Sequence, residues 1–171
     1  MTITLIGMPG AGKSIMGKAL AKALGYRWVD GDRAIEEKTG RRLQDIINED
    51  GLSAFRKIEE EVLLSLAEKD TVISTGGSAI YYDRAMQNFK ANGKVVYLYV
   101  GVDELIKRLG DYSKRGIVLA PGKTIRDLYE ERVPLYEKYA DITLNCDGEA
   151  YSTYQRALNE RMLSICKSAV C

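Results

Sequence analysis

Gly7-Met8-Pro9-Gly10-Ala11-Gly12-Lys13-Ser14-Ile15-Met16-Gly17 follows directly on the apolar run Ile3-Thr4-Leu5-Ile6. Gly7 to Ser14 fits the pattern G-x-x-x-x-G-K-[ST], set between a predicted strand and a predicted helix, which is the context that a phosphate-binding loop requires. Glycines let such a loop curl tightly and aim several backbone N–H groups at one point. A helix starting near Lys13 adds the positive end of its dipole. The pattern therefore assigns Gly10, Ala11, Gly12, Lys13, Ser14 and Ile15 to a cradle for a nucleoside triphosphate. Within it Lys13 reaches the β- and γ-phosphates and the Ser14 hydroxyl holds Mg²⁺.

Outward from this loop, strand and helix signals alternate. Strands are predicted over residues 2–6, 26–29, 71–74, 94–100 and 142–144. Helices are predicted over residues 13–24, where Gly25 supplies the stop, and over 42–47, 52–67, 85–89, 102–109, 124–139 and 151–167. Asp32 reads as the N-cap of a further helix carrying Ile35 and Glu36. The best strands are short apolar blocks, as expected where helices cover both faces of a parallel sheet. Residues 110–123 are rich in Gly, Lys and Arg and lack periodicity, which marks a long and functional loop.

The chain has 171 residues, 46% of them hydrophobic and 29% charged, which suits one α/β domain with a real core. A net charge of +1 gives no case for nucleic-acid or anionic-membrane binding. No apolar run approaches the ~20 residues of a membrane helix, and no basic segment precedes the first apolar run. Three cysteines, Cys146, Cys166 and Cys171, lack CxxC spacing, so reduced thiols and a cytoplasmic location are expected. The chain has no histidine, which excludes histidine metal sites and Ser-His or Cys-His nucleophiles. A base must then be a carboxylate, a lysine, a tyrosine or water.

Asp30-Gly31-Asp32 closes the second strand, at the sheet edge that faces the ligand crevice in an open α/β fold. One carboxylate there can serve Mg²⁺ and the other can orient an attacking hydroxyl. Taken alone, Asp32 reads equally as a helix cap and Asp30 as a solvated turn. Gly76-Gly77 follows the third strand and permits close backbone approach to a ligand, or marks an ordinary tight turn. Arg56 lies in a charge-rich helix that reads as a solvated face, and Arg132 reads as a surface ion-pair residue.

In combination these pieces resemble shikimate kinases. The resemblance rests on GMPGAGKS, Val29-Asp30-Gly31-Asp32, Phe55-Arg56-x-x-Glu59, Ser74-Thr75-Gly76-Gly77, the basic loop and Arg132-x-Pro134-Leu135-Tyr136, in that order from residue 3 to about residue 145. It implies a three-layer P-loop fold with a five-stranded parallel sheet of order 2-3-1-4-5, flanked by helices and closed by a mobile lid over 110–123. It implies substrate-binding helices over about 31–62. It implies ATP, Mg²⁺ and transfer of the γ-phosphoryl to the 3-hydroxyl of shikimate by a monomer. It also places Asp30 beside Mg²⁺ and makes Asp32 the ligand of substrate hydroxyls and candidate base. Arg56, Arg132, Gly76 and Gly77 fall at the acceptor, Arg108 on adenine and Arg115 in the lid. The lid departs from the usual Arg-Pro-Leu-Leu, reading Arg115-Gly116-Ile117-Val118-Leu119, and the third glycine of the family triplet is Ser78. Both departures lie near the acceptor. They keep open a kinase of the same shape acting on another small hydroxy acid or sugar, besides a nucleotide-binding module without phosphotransfer.

Overall fold

The computed structural model describes residues 1–110, 117, 119–147 and 151–168, with the side chains of 151, 152, 154 and 166–168 left out. Arg115 and most of the stretch read as a lid lie outside the described residues. In chain order the elements are β1 (Thr2–Ile6), α1 (Lys13–Leu24), β2 (Arg27–Asp30), α2 (Gly31–Thr39), α3 (Leu43–Ser65) and β3 (Thr71–Ser74). A short 3₁₀ turn (Ala79–Tyr81) leads into α4 (Asp83–Asn92), β4 (Gly93–Tyr99), α5 (Val102–Leu109), α6 (Ile125–Tyr139), β5 (Ile142–Asn145) and α7 (Tyr151–Ser168).

All five strands run parallel in the order β2-β3-β1-β4-β5. Thr4 of β1 stands opposite Ile73 of β3 and Val95 of β4. Every residue of β1 and β3 is buried, whereas the edge strands β2 and β5 are partly open. The apolar-block reading of the central strands follows from that two-sided cover. α1 and α7 pack together on one face, and α4 and α6 lie against the other. The chain crosses from β3 over β1 to β4, so the connection changes direction beside β1. In an open α/β sheet, that switch point at the carboxyl ends of the strands is where ligands bind.

Two local readings change. Asp30, not Asp32, caps α2: its extended backbone (φ −98°, ψ 122°) lets its carboxylate accept from the N–H groups of Asp32 and Arg33. Asp32 is thereby free of capping and stands in the first turn. The helices predicted over 42–47 and 52–67 are the two arms of α3, broken at Gly51, where φ is 84° and ψ 164°. A 3₁₀ turn also forms at Ala79–Tyr81, where the apolar-aromatic sequence has neither helix nor strand period.

Candidate active site

Gly12 caps α1 with φ 93°, a left-handed conformation that turns the chain from loop into helix. Lys13, the first residue of α1, is buried, and its ammonium donates to the carbonyls of Gly7 (2.7 Å) and Met8 (2.9 Å). Burial lowers it to about 8, with Arg132 pushing the same way and Asp32 and Asp30 opposing. β3 fixes the start of α1 from below. Ser74 Oγ donates to the Lys13 carbonyl at 2.9 Å, and Trp28 Nε1 donates to Ser74 Oγ at 3.1 Å.

The two candidate metal ligands touch: Ser14 Oγ donates to Asp30 Oδ2 at 2.8 Å, while Asp30 Oδ1 takes the α2 backbone. A hydroxyl beside a carboxylate is an all-oxygen pair that suits a hard cation such as Mg²⁺. Among the described residues no group of three or more acidic or cysteine side chains could hold a metal. Phosphate and water oxygens would have to complete the shell, which is the usual habit of Mg²⁺ in phosphoryl-transfer sites.

Asp32 remains open to solvent in the first turn of α2. Partial desolvation there raises its carboxyl to about 6, helped by the charges of Asp30 and Glu59 and opposed by Lys13. It is thus poised to take a proton near neutral pH.

Gly76 and Gly77 turn out to serve the site's own side chains. A Cβ on Gly76 would fall 2.8 Å from Asp32 Oδ1 and 3.1 Å from Glu59 Oε1. A Cβ on Gly77 would fall 2.9 Å from Arg132 Nη1 and 2.9 Å from Pro9 Cδ. The missing side chains therefore let α2, α3, α6 and the phosphate loop converge on two adjacent residues. Tyr136, buried in α6, pins this spot by donating to the Gly77 carbonyl at 2.7 Å.

Arg132 is 7% exposed and not a surface ion-pair residue. Its Nε donates to Tyr81 Oη at 3.2 Å, and its guanidinium lies 5.3 Å from the Tyr81 ring centroid. Glu59 went unread as a site residue. It is 1% exposed and accepts from Ser78 Oγ (2.7 and 3.0 Å) and Tyr82 Oη (2.6 Å). Burial raises its carboxyl, while those two hydroxyls and then the charges of Arg132 and Arg56 hold it down. Arg56 is exposed and, with Leu52 and Tyr82, lines an open cavity of about 450 Å³ on the side of α3. Arg56 and Arg132 both act through their charges on Glu59.

At the other end, Arg108 in the last turn of α5 is held by Glu104 (2.8 Å) and the Cys146 carbonyl (2.8 Å). That fixes a guanidinium at the carboxyl end of β5. Ile15 is 63% exposed, an apolar side chain left open beside the loop.

A profile of the shikimate kinase family matches residues 9–162. The chain is 42% identical to a shikimate kinase of Mycobacterium avium (strain 104) over 144 residues, 82% of this chain and 81% of that one. It is 36% identical to a shikimate kinase of Persephonella marina over 154 residues, 90% of this chain and 92% of that one. Among solved structures, the shikimate kinase of Acinetobacter baumannii in complex with shikimate superposes with a TM-score of 0.83 at 34% identity, covering 98% of this chain and 93% of that one.

Proposed function

The chain belongs to the shikimate kinase family of ATP-dependent phosphotransferases, and from that premise we propose that it moves the γ-phosphoryl group of ATP to the 3-hydroxyl of shikimate. The products are shikimate 3-phosphate and ADP. The observation that carries the residue assignments is the convergence on Gly76 and Gly77, which sets a carboxylate base, Asp32, and a buried guanidinium, Arg132, against the phosphate loop.

Asp32 orients the acceptor hydroxyl and accepts its proton as the oxygen bonds to the γ-phosphorus and the bond to ADP breaks. Lys13 exchanges its bonds to the loop carbonyls for phosphate oxygens and offsets the charge that spreads there in the transition state. Ser14 and Asp30 would hold Mg²⁺, which when bound would supply further positive charge at the phosphates. Arg132 grips the acceptor carboxylate from the floor of the cleft, and Arg56 reaches it from the rim. Arg108 stacks on adenine. Arg115, which the family resemblance assigns to charge at the phosphates, lies outside the described residues, as does most of 110–123. The sparse cysteines without CxxC spacing support a cytoplasmic location.

The test is ADP release by the full chain with ATP and Mg²⁺ over a panel of shikimate, other cyclic hydroxy acids and gluconate. Shikimate-dependent turnover is expected. No turnover on shikimate with turnover on another acid would replace the acceptor, and ATP binding without acceptor-stimulated release would remove phosphotransfer altogether.

A further inference from the structure

Between β3 and α4 the chain presents three hydroxyls in five residues, Ser78, Tyr81 and Tyr82, and all three are spent inside the acceptor site. We propose that residues 78–82 are a positioning element for acceptor binding, in which Tyr81 holds Arg132 while Ser78 and Tyr82 hold Glu59. This rests on the acceptor reading of Arg132 given above.

Tyr81 is engaged on both sides. Its hydroxyl accepts from Arg132 Nε at 3.2 Å and donates to Glu131 Oε1, and its ring lies under the guanidinium at 5.3 Å. A guanidinium held at Nε keeps its Nη edge for a planar bidentate partner. Nη1 is the atom that approaches Gly77, on the side shared with Pro9 of the phosphate loop. The tyrosine thus selects which edge of Arg132 faces an incoming carboxylate.

Glu59 needs a different kind of support. A buried carboxylate is costly unless its oxygens are hydrogen-bonded. Ser78 donates to Oε1 (2.7 Å) and lies 3.0 Å from Oε2, and Tyr82 donates to Oε2 (2.6 Å). Burial beside Glu59 raises the Tyr82 phenol, which keeps it a donor. Ser78 has ordinary helical backbone angles (φ −86°, ψ −10°), so a side chain sits there without strain. The serine that replaces the family's third glycine therefore turns its hydroxyl to Glu59. With both oxygens engaged by hydroxyl donors, Glu59 is not a second base beside Asp32; Ser78 and Tyr82 hold it in place where the charges of Arg132 and Arg56 act on it.

Steady-state kinetics of the full chain would compare Tyr81→Phe, Ser78→Ala and Ser78→Thr with the parent. Shikimate would be varied at saturating ATP, and ATP at saturating shikimate. In Tyr81→Phe the acceptor KM should rise about tenfold, with kcat and the ATP KM within about twofold of the parent. Ser78→Ala should raise the acceptor KM less, and Ser78→Thr, which keeps the hydroxyl, should restore it. Proportionate losses in kcat and both KM values, or an unchanged acceptor KM, would overturn the proposal. A second readout needs no turnover: solvent exchange of the Arg132 Nε–H, assigned by its loss in Arg132→Lys. Exchange should accelerate about tenfold or more in Tyr81→Phe as the bond is lost, and an unchanged rate would overturn the role of Tyr81. A parent chain that releases no ADP with shikimate would overturn the acceptor instead, leaving the exchange rates to decide the turn.

Discussion

The phosphate end of the site is one unbroken run, Gly7 to Ser14, and its donors are backbone N–H groups, one lysine and one hydroxyl. The acceptor end has no such run. Asp32 comes from α2, Glu59 from α3, Gly76 and Gly77 from the end of β3, and Arg132 from α6, the first and the last of them 100 positions apart in sequence. The two ends meet where Pro9 packs against the space at Gly77. A triphosphate presents the same charges to every enzyme that uses it, so a backbone cradle can be reused with little change. An acceptor is distinguished by where its hydroxyls and carboxylate lie, and only side chains brought from several elements can match that pattern.

If the ends are separable in this way, their variants should fail differently. The largest effect is expected at the phosphate end. Lys13→Ala should lower kcat by about 10³-fold, because preorganised charge at the phosphates is lost in the transition state. Measured at saturating acceptor, a loss smaller than about tenfold would mean that Lys13 serves only to tie the loop through the Gly7 and Met8 carbonyls. Next comes the acceptor end. Arg56→Ala should raise the acceptor KM by about 10- to 100-fold, the scale of a lost charge-assisted pair, and leave the ATP KM near the parent's. Equal rises in both KM values would take Arg56 out of the acceptor site and leave it a solvated residue on the rim of α3.

The same division explains what the sequence made legible. The phosphate loop could be read because its function needs particular residues at consecutive positions, and the strand and helix on either side have clean apolar patterns. The sheet order came with the family resemblance. The acid pair was found but its roles in the fold were exchanged: Asp30 and Asp32 both precede the apolar pattern of α2, and only the extended backbone at Asp30 decides which one caps. Glu59 was hidden among Arg56, Lys57, Glu60 and Glu61, where composition says solvated face. One signal could have exposed it. Phe55, Glu59, Val62 and Leu63 share a helical stripe at i, i+4, i+7 and i+8, and all four are buried. The glycine pair reads as close approach to a ligand or as a tight turn, and that an added Cβ would meet Asp32, Glu59, Arg132 and Pro9 is something no local pattern reveals.

The smallest effect, and the sharpest test of separability, is in pH. Asp32 is raised to about 6 and acts as base only when ionised, so kcat/KM for the acceptor should be half-maximal near pH 6 and fall about tenfold for each unit below. Lys13 is lowered to about 8 and neutralises charge only when protonated, so kcat/KM for ATP should fall above pH 8. Between those limits the change is no more than about twofold. The acid midpoint depends on Glu59, whose charge is one of the causes raising Asp32, whereas Glu59 is not among the charges acting on Lys13. In Glu59→Gln the acid midpoint should therefore move down while the alkaline one stays. A ¹³C titration of the Asp32 carboxyl in the free chain checks the same shift without turnover. Should both limbs move together, the phosphate and acceptor ends form one electrostatic unit and the division between them fails.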